Sequence, residues 1–302
     1  MTKIKTWIEG NFALLLLLGA ALGFFIPGFG SFSEAIVIVL VASLVYFACP
    51  DIRREELFQV DIFQVGFFTL LRFAVFPLFL FYTANIFIPD YAEGILLLAL
   101  MPAAIAIASL CSISGGKVAL GIGLTMISSL LAPAFIPSIF SFLGHLVEVN
   151  VLGLFITLTL VVFVPMVLYF VLTRPVKPLQ VWVEDKGKAA SIITMALVLL
   201  VVISSYKDQF WHDLPHLYEG FFIMMGLFFL FYLFGVLFSY FVPKDQRSTY
   251  IYASGAINNG LAIGLSFLYF SAETTFFIVL SEIIWCFYVA AAQWYFSRYP
   301  ET

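Results

Sequence analysis

Two charged side chains stand inside apolar runs of this sequence, Arg72 in LLRFAVFPLF and Glu282 in SEIIWCFYV. A charge in mid-bilayer costs about 2.5–3.5 kcal/mol on insertion scales, so each needs a partner or a task. Arg72 falls roughly 12 Å below one end of its helix at about 1.5 Å per residue. Two readings are open for it. It snorkels or pairs structurally with an acid, or its fixed charge orders nearby backbone and attracts an anionic solute. Three are open for Glu282: a proton carrier, an ion-pair partner for Arg72, or a side chain facing an aqueous crevice.

The second group of chemically able residues is neutral. Ser254-Gly255 and Asn258-Asn259-Gly260 put amides and glycines in the middle of STYIYASGAINNGLAIGLSFLYF, and Pro102 begins a run of small residues through Ser109, Ser112 and Ser114 to Gly115-Gly116. Adjacent amides at mid-span each demand partners, and irregular backbone survives at that depth only when buried in protein or lining a cavity. A helix restarting there aims free N–H groups and its positive dipole end into the cavity, and an anion is the fitting guest. The expected anion site is main-chain N–H of Ala106, Ile107, Ala108, Asn258, Asn259 and Gly260 with both Asn side chains. Ser109, Ser112, Thr125 and Ser128 would add hydroxyls. Breaks are expected at Asn258–Gly260 and near Ala104–Ala108, whereas Pro77, Pro133, Pro137 and Pro165 read as kinks. Gly19-x3-Gly23 and Gly260-x3-Gly264 also fit plain close helix packing.

Other motifs carry less. Cys49, Cys111 and Cys286 are an odd set in apolar runs and read as small buried hydrophobes. His212 and His216 have helical i,i+4 spacing beside Asp208, Asp213 and Glu219, but Pro215 between them favours a solvated connection over a metal site, and His145 lies in another polar connection. No catalytic dyad or nucleophile elbow occurs in the spans, so an enzyme is not expected.

The elements that must position these residues follow from composition. The 302 residues are 63% apolar and 11% charged, against about 45–50% and about 25% in soluble domains. Mean hydropathy is +1.08. A water-soluble protein is excluded, and 14 basic against 18 acidic residues leave no excess for nucleic acid. Apolar segments fall near 11–27, 33–49, 64–89, 92–114, 116–142, 149–173, 187–205, 219–242, 248–270 and 271–297. At about 20 residues per crossing these predict an all-α polytopic membrane protein of ten helices, joined by short loops such as RPVKPLQVWVEDKGK. Placing the N-terminus in the cytoplasm leaves only Lys207 outside and Arg72 in a span, which puts both termini inside. The first run lacks a clear cleavage site and reads as a retained helix. The spans 64–142 and 219–297 share a long–interrupted–long pattern, which predicts two inverted five-helix repeats, 1–145 and 146–302, as in secondary transporters.

The run MPAAIAIASLCSISGGKVALGIGLTMISSLLAPAFIP resembles the fourth and fifth helices of the bile acid:sodium symporter family, SGAINNGLAIGLSF its ninth-helix crossover and LLRFAVFPLF its third helix. The resemblance implies a panel domain (about 11–49 and 149–205) and a core domain (about 64–142 and 219–297), with discontinuous helices four and nine crossing in the core. It implies organic anions taken up with sodium. The family's sodium ligands do not carry over. They fall on Ile107, Ala108, Gly121, Ala253 and Ile257, its third-helix glutamine on Arg72, and only Thr125 and Asn258 match.

The resulting expectation is a carrier of small organic anions working by alternating access in the bacterial cytoplasmic membrane, with lipid as its other neighbour and no resident cofactor. Arg72 would stand in for a cation and Glu282 would take a proton, or the protein would be a facilitator. A conventional sodium-coupled symporter and a non-transporting sensor or scaffold are the alternatives. Substrate identity and oligomeric state are not legible.

Overall fold

A computed structural model describes residues 2–51, 61–104, 106–144, 146–212 and 214–299. Arg53, Arg54, His145 and Asp213 lie outside the described residues, as do the side chains of His212 and Pro215. Within them the regular structure is helical, apart from one isolated antiparallel bridge between Ala103 and Ile257.

Helix α1 (Thr2–Gly10) meets α2 (Phe12–Phe25) at 75°, and α3 (Ser33–Ala48) follows. A long α4 (Ile62–Phe87) widens into π turns over Leu71–Val75, just before Pro77, which has no N–H to donate to the Phe73 carbonyl. Next come α5 (Pro89–Ala99), α6 (Ile107–Ser114), α7 (Val118–Phe142) and α8 (Val151–Thr173). The second half contains α9 (Lys177–His212), α10 (Leu214–Ser239), α11 (Arg247–Gly255), α12 (Asn259–Tyr269) and α13 (Ala272–Arg298).

Among the described residues seven helices are long and apolar enough to cross a membrane, or eight if α1 and α2 form one bent span. The expected ten is larger because α5, α6, α11 and α12 are each too short to cross alone. One expectation is corrected outright. The polar stretch after Thr173 is not a loop, since α9 already starts at Lys177 and runs through VWVEDKGK. Charged residues mark where a helix leaves the apolar layer, and Glu and Lys are good helix formers, so polarity did not end the helix.

Glycines let α9 press onto α2: a Cβ on Gly19 would collide with the Ala196 carbonyl, and one on Gly23 would meet Ile203. Gly260 and Gly264 of α12 approach Leu44 and Val41 of α3 in the same way. The packing reading of both glycine pairs is therefore correct. Helix α7 runs through Pro133 and Pro137 without interruption, and α8 runs through Pro165 and then widens into π turns over Leu168–Thr173.

The two interruptions expected from sequence are present. The chain leaves helix between Ala99 and Ile107, and again from Ala256 to Asn258, slightly before the expected Asn258–Gly260. Pro102 cannot donate to the Leu98 carbonyl, which helps end α5. At the second break the Asn258 side chain accepts from Leu261 N at 3.1 Å and caps α12. The two stretches cross and pair: Ala104 N donates to Ala256 O at 2.8 Å, and Asn258 N to Pro102 O at 2.9 Å. Each break thus satisfies backbone groups that the other leaves open.

Candidate functional site

Four half-helix ends meet at this crossing. The C-terminal, electronegative ends belong to α5 and α11, and the electropositive N-terminal ends to α6 and α12. Arg72, completely buried, sits at the electronegative pair. Its Nη1 donates to Ala99 O at 2.7 Å, and Nε and Nη2 donate to Ser254 O at 3.0 and 2.8 Å. The guanidinium also lies over the rings of Phe231, 4.6 Å from the centroid, and Phe73, 5.1 Å away. Carbonyl acceptors and ring faces compensate the charge where an acid was one expectation. Among the described residues Arg72 makes no ion pair. Snorkelling is likewise excluded by its burial.

Glu282, 9% exposed on α13, lies instead beside the Asn259 side-chain amide, at the first residue of α12. The two intramembrane charges are therefore separated. The cation meets two helix C-termini and the acid meets a helix N-terminus, each at the dipole end of opposite sign.

Asn258 and Asn259 face different ways. Asn258 lines a cleft with Pro102, Ala108 and Thr125, whose opposite wall is α3 and α8 (Val45, Val162). Asn259 is buried, and its Nδ2 donates to Ser281 O at 3.5 Å, away from the cleft. The expected row of N–H donors is mostly consumed by the crossing. Asn258 N goes to Pro102 O, Asn259 N to Ile257 O at 3.0 Å and Ile107 N to Ala104 O at 3.2 Å. The Ala108 and Gly260 N–H groups make no hydrogen bond within the described residues, and Ala108 lines the cleft while Ala106 is the N-cap of α6.

The hydroxyls also do something other than expected. Thr125 donates to Ala104 O at 3.1 Å, and Ser128 accepts from Ala103 N at 3.1 Å while donating to Thr125 O. Both brace the first break from α7. Ser109 and Ser112 stand on the exposed face of α6 and do not line the cleft. Reasoning from residue types missed Ala99 and Ala256, and named Ser254 and Ala104 only as parts of the breaks, because their role belongs to main-chain carbonyls that every residue carries. Ser129 and Cys49 also line the cleft.

Ile107, Ala253 and Ile257 are fully or almost fully buried, and a Cβ on Gly121 would crowd Ile107 at 3.0 Å. With Ala108 these positions provide no side-chain oxygen. Among the described residues no group of three or more His, Cys, Asp or Glu could hold a metal ion, and the three cysteines are free.

Among known families, the sodium bile acid symporter family matches residues 32–213, well over half of the chain. That stretch holds Arg72 and the first break and ends before the second. No curated protein matches the chain.

Proposed function

This chain belongs to the sodium bile acid symporter family and is an integral multi-pass membrane protein of transporter type, and from that premise we propose that it carries organic anions by alternating access without the family's usual pair of sodium sites. Ten crossings result when each broken pair, α5 with α6 and α11 with α12, counts as one. The matching breaks support two inverted five-helix repeats. The close packing of α2, α3, α8 and α9 supports a panel against which a core carrying the crossing would rock. The basic ends would lie in the cytoplasm.

One observation carries the altered coupling: the Arg72 guanidinium is hydrogen-bonded to the carbonyls of both Ala99 and Ser254. A metal cation bridging two helix C-termini would use those oxygens, and two like charges 4 Å apart repel by about 4 kcal/mol at an effective dielectric of 20. The residues at the five sodium-ligand positions do not fit the ion either. A covalently attached cation therefore does the ordering that a bound ion would do elsewhere. The anionic group of the substrate would enter the cleft toward Asn258 Nδ2 and the Ala108 N–H at the electropositive ends of α6 and α12. The apolar lining suits an amphipathic body.

Uptake of taurocholate and of small carboxylates into proteoliposomes, under separate sodium and pH gradients, tests this reading. Uptake indifferent to sodium supports it, and strong sodium stimulation returns the protein to conventional coupling. Stabilisation by ligand without flux would make it a sensor.

A further inference from the structure

Three polar groups are sealed together on the side of α12 away from the cleft. Asn259 and Ser281 are 5% and 0% exposed, and the Asn259 Oδ1 and Ser281 Oγ atoms have no hydrogen-bond partner. The Glu282 carboxyl lies beside the Asn259 amide. The amide orientation is set by Ser281 O, which can only accept and takes Nδ2. Oδ1 is left as a buried acceptor with no donor, a state that costs about 1–3 kcal/mol.

We propose that Glu282 and Asn259 form an acid–amide pair that binds the coupling proton of this transporter. The proposal rests on the transport reading above. The proton adds to a carboxylate oxygen, and the new O–H donates to Asn259 Oδ1 while the amide N–H faces the remaining acid oxygen. An acid and an amide complete two hydrogen bonds in this way only when the acid carries its proton. Without the proton, the carboxylate is held by the amide N–H and the electropositive start of α12. Both forms thus have a partner in the same place, as a carrier requires.

A metal ion fits less well. It would sit against the positive end of α12 with Asn259 Oδ1 and Ser281 Oγ as its free oxygens beside the carboxyl, whereas a proton needs one acceptor. Titratable groups on the elements packed against α13 include Tyr91 and Glu93 on α5, Cys111 on α6, Tyr206 on α9, Tyr232 on α10 and Tyr250 and Tyr252 on α11. None of them acts on Glu282 through its charge. Glu282 acts in turn on the Cys286 thiol, one turn along α13. The link to substrate is short. Asn259 touches the acid, and the preceding residue, Asn258, lines the cleft.

Infrared difference spectra of the full chain in lipid, between mildly acidic and mildly alkaline buffer, test the site without any substrate. Wild type minus Glu282→Gln should show a carboxylic C=O stretch that appears on acidification. Glu282→Asp should restore it, and Asn259→Ala should shift its frequency. The absence of a titrating band, or a band unmoved by Asn259→Ala, overturns the pair. Taurocholate uptake under a pH gradient is measured alongside, and its stimulation should be lost in Glu282→Gln. A titrating Glu282 with no uptake in any gradient defeats the transport reading and leaves the proton site standing. Gradient stimulation that survives Glu282→Gln defeats the coupling role.

Discussion

Arg72 grips the carbonyl oxygen of Ser254 with two N–H groups, Nε at 3.0 Å and Nη2 at 2.8 Å, and reaches Ala99 with a third. One side chain from an unbroken helix thereby holds the C-terminal ends of both broken ones. The helical acceptor role of these carbonyls is lost at the breaks: Ala103 N turns to Ser128 and Asn258 N to Pro102.

Arg72→Met should therefore leave two buried carbonyls without donors, at about 1–3 kcal/mol each. A clear fall in the thermal unfolding midpoint of the detergent-solubilised protein is expected. Arg72→Lys should recover part of it, because an ammonium keeps the charge but lacks the planar fork that spans both oxygens. Equal stability of all three proteins would show that the junction does not depend on the guanidinium.

Ser128→Ala should cost more than Thr125→Val, although both remove one hydroxyl. The first strands the buried Ala103 N–H, with a penalty of about 1–3 kcal/mol. The second removes a donor from Ala104 O, which still accepts from Ile107 N. Denaturation of the two variants side by side reads the order directly.

Asn258 combines a cap and a cleft amide, and two substitutions separate them. Asn258→Ala should destabilise by about 1 kcal/mol through loss of the α12 cap. Asn258→Asp keeps a good capping oxygen at an electropositive helix start, so stability should hold. It also turns a carboxylate toward the cleft, and stabilisation by taurocholate should disappear. Thermal shift with and without taurocholate distinguishes the two effects.

A Cβ on Gly264 would lie 2.5 Å from Val41 Cγ2, at the contact between α12 and α3. Overpacking of this kind costs about 1–3 kcal/mol. Gly264→Ala should accordingly lower stability, and Val41→Ala added to it should restore much of the loss. Additive effects in the double-mutant cycle would mean that the two positions do not press on each other.

Much of this protein is legible in its sequence, and the particular residues explain why. Arg72 and Glu282 stood out because charge in an apolar run is rare, and the two breaks because Pro102 and Asn258-Asn259-Gly260 are poor material for a continuous span. The long polar start of α9 was misread as a loop, since charge reports distance from the apolar layer and says little about helix ends. Thr125 and Ser128 looked like substrate hydroxyls, yet they spend their hydrogen bonds on the first break.

Composition and local chemistry alone determined that the chain is a helical membrane protein, where its helices give way and which side chains would be costly there. These properties depend on each segment's own transfer energy and backbone preferences, which neighbours in space do not alter. Partners were decided only in three dimensions. Whether Arg72 meets Glu282 or two carbonyls, and whether Asn259 faces the cleft or the acid, depends on how four short helix ends cross. Main-chain oxygens supply much of that crossing, and every residue type has one.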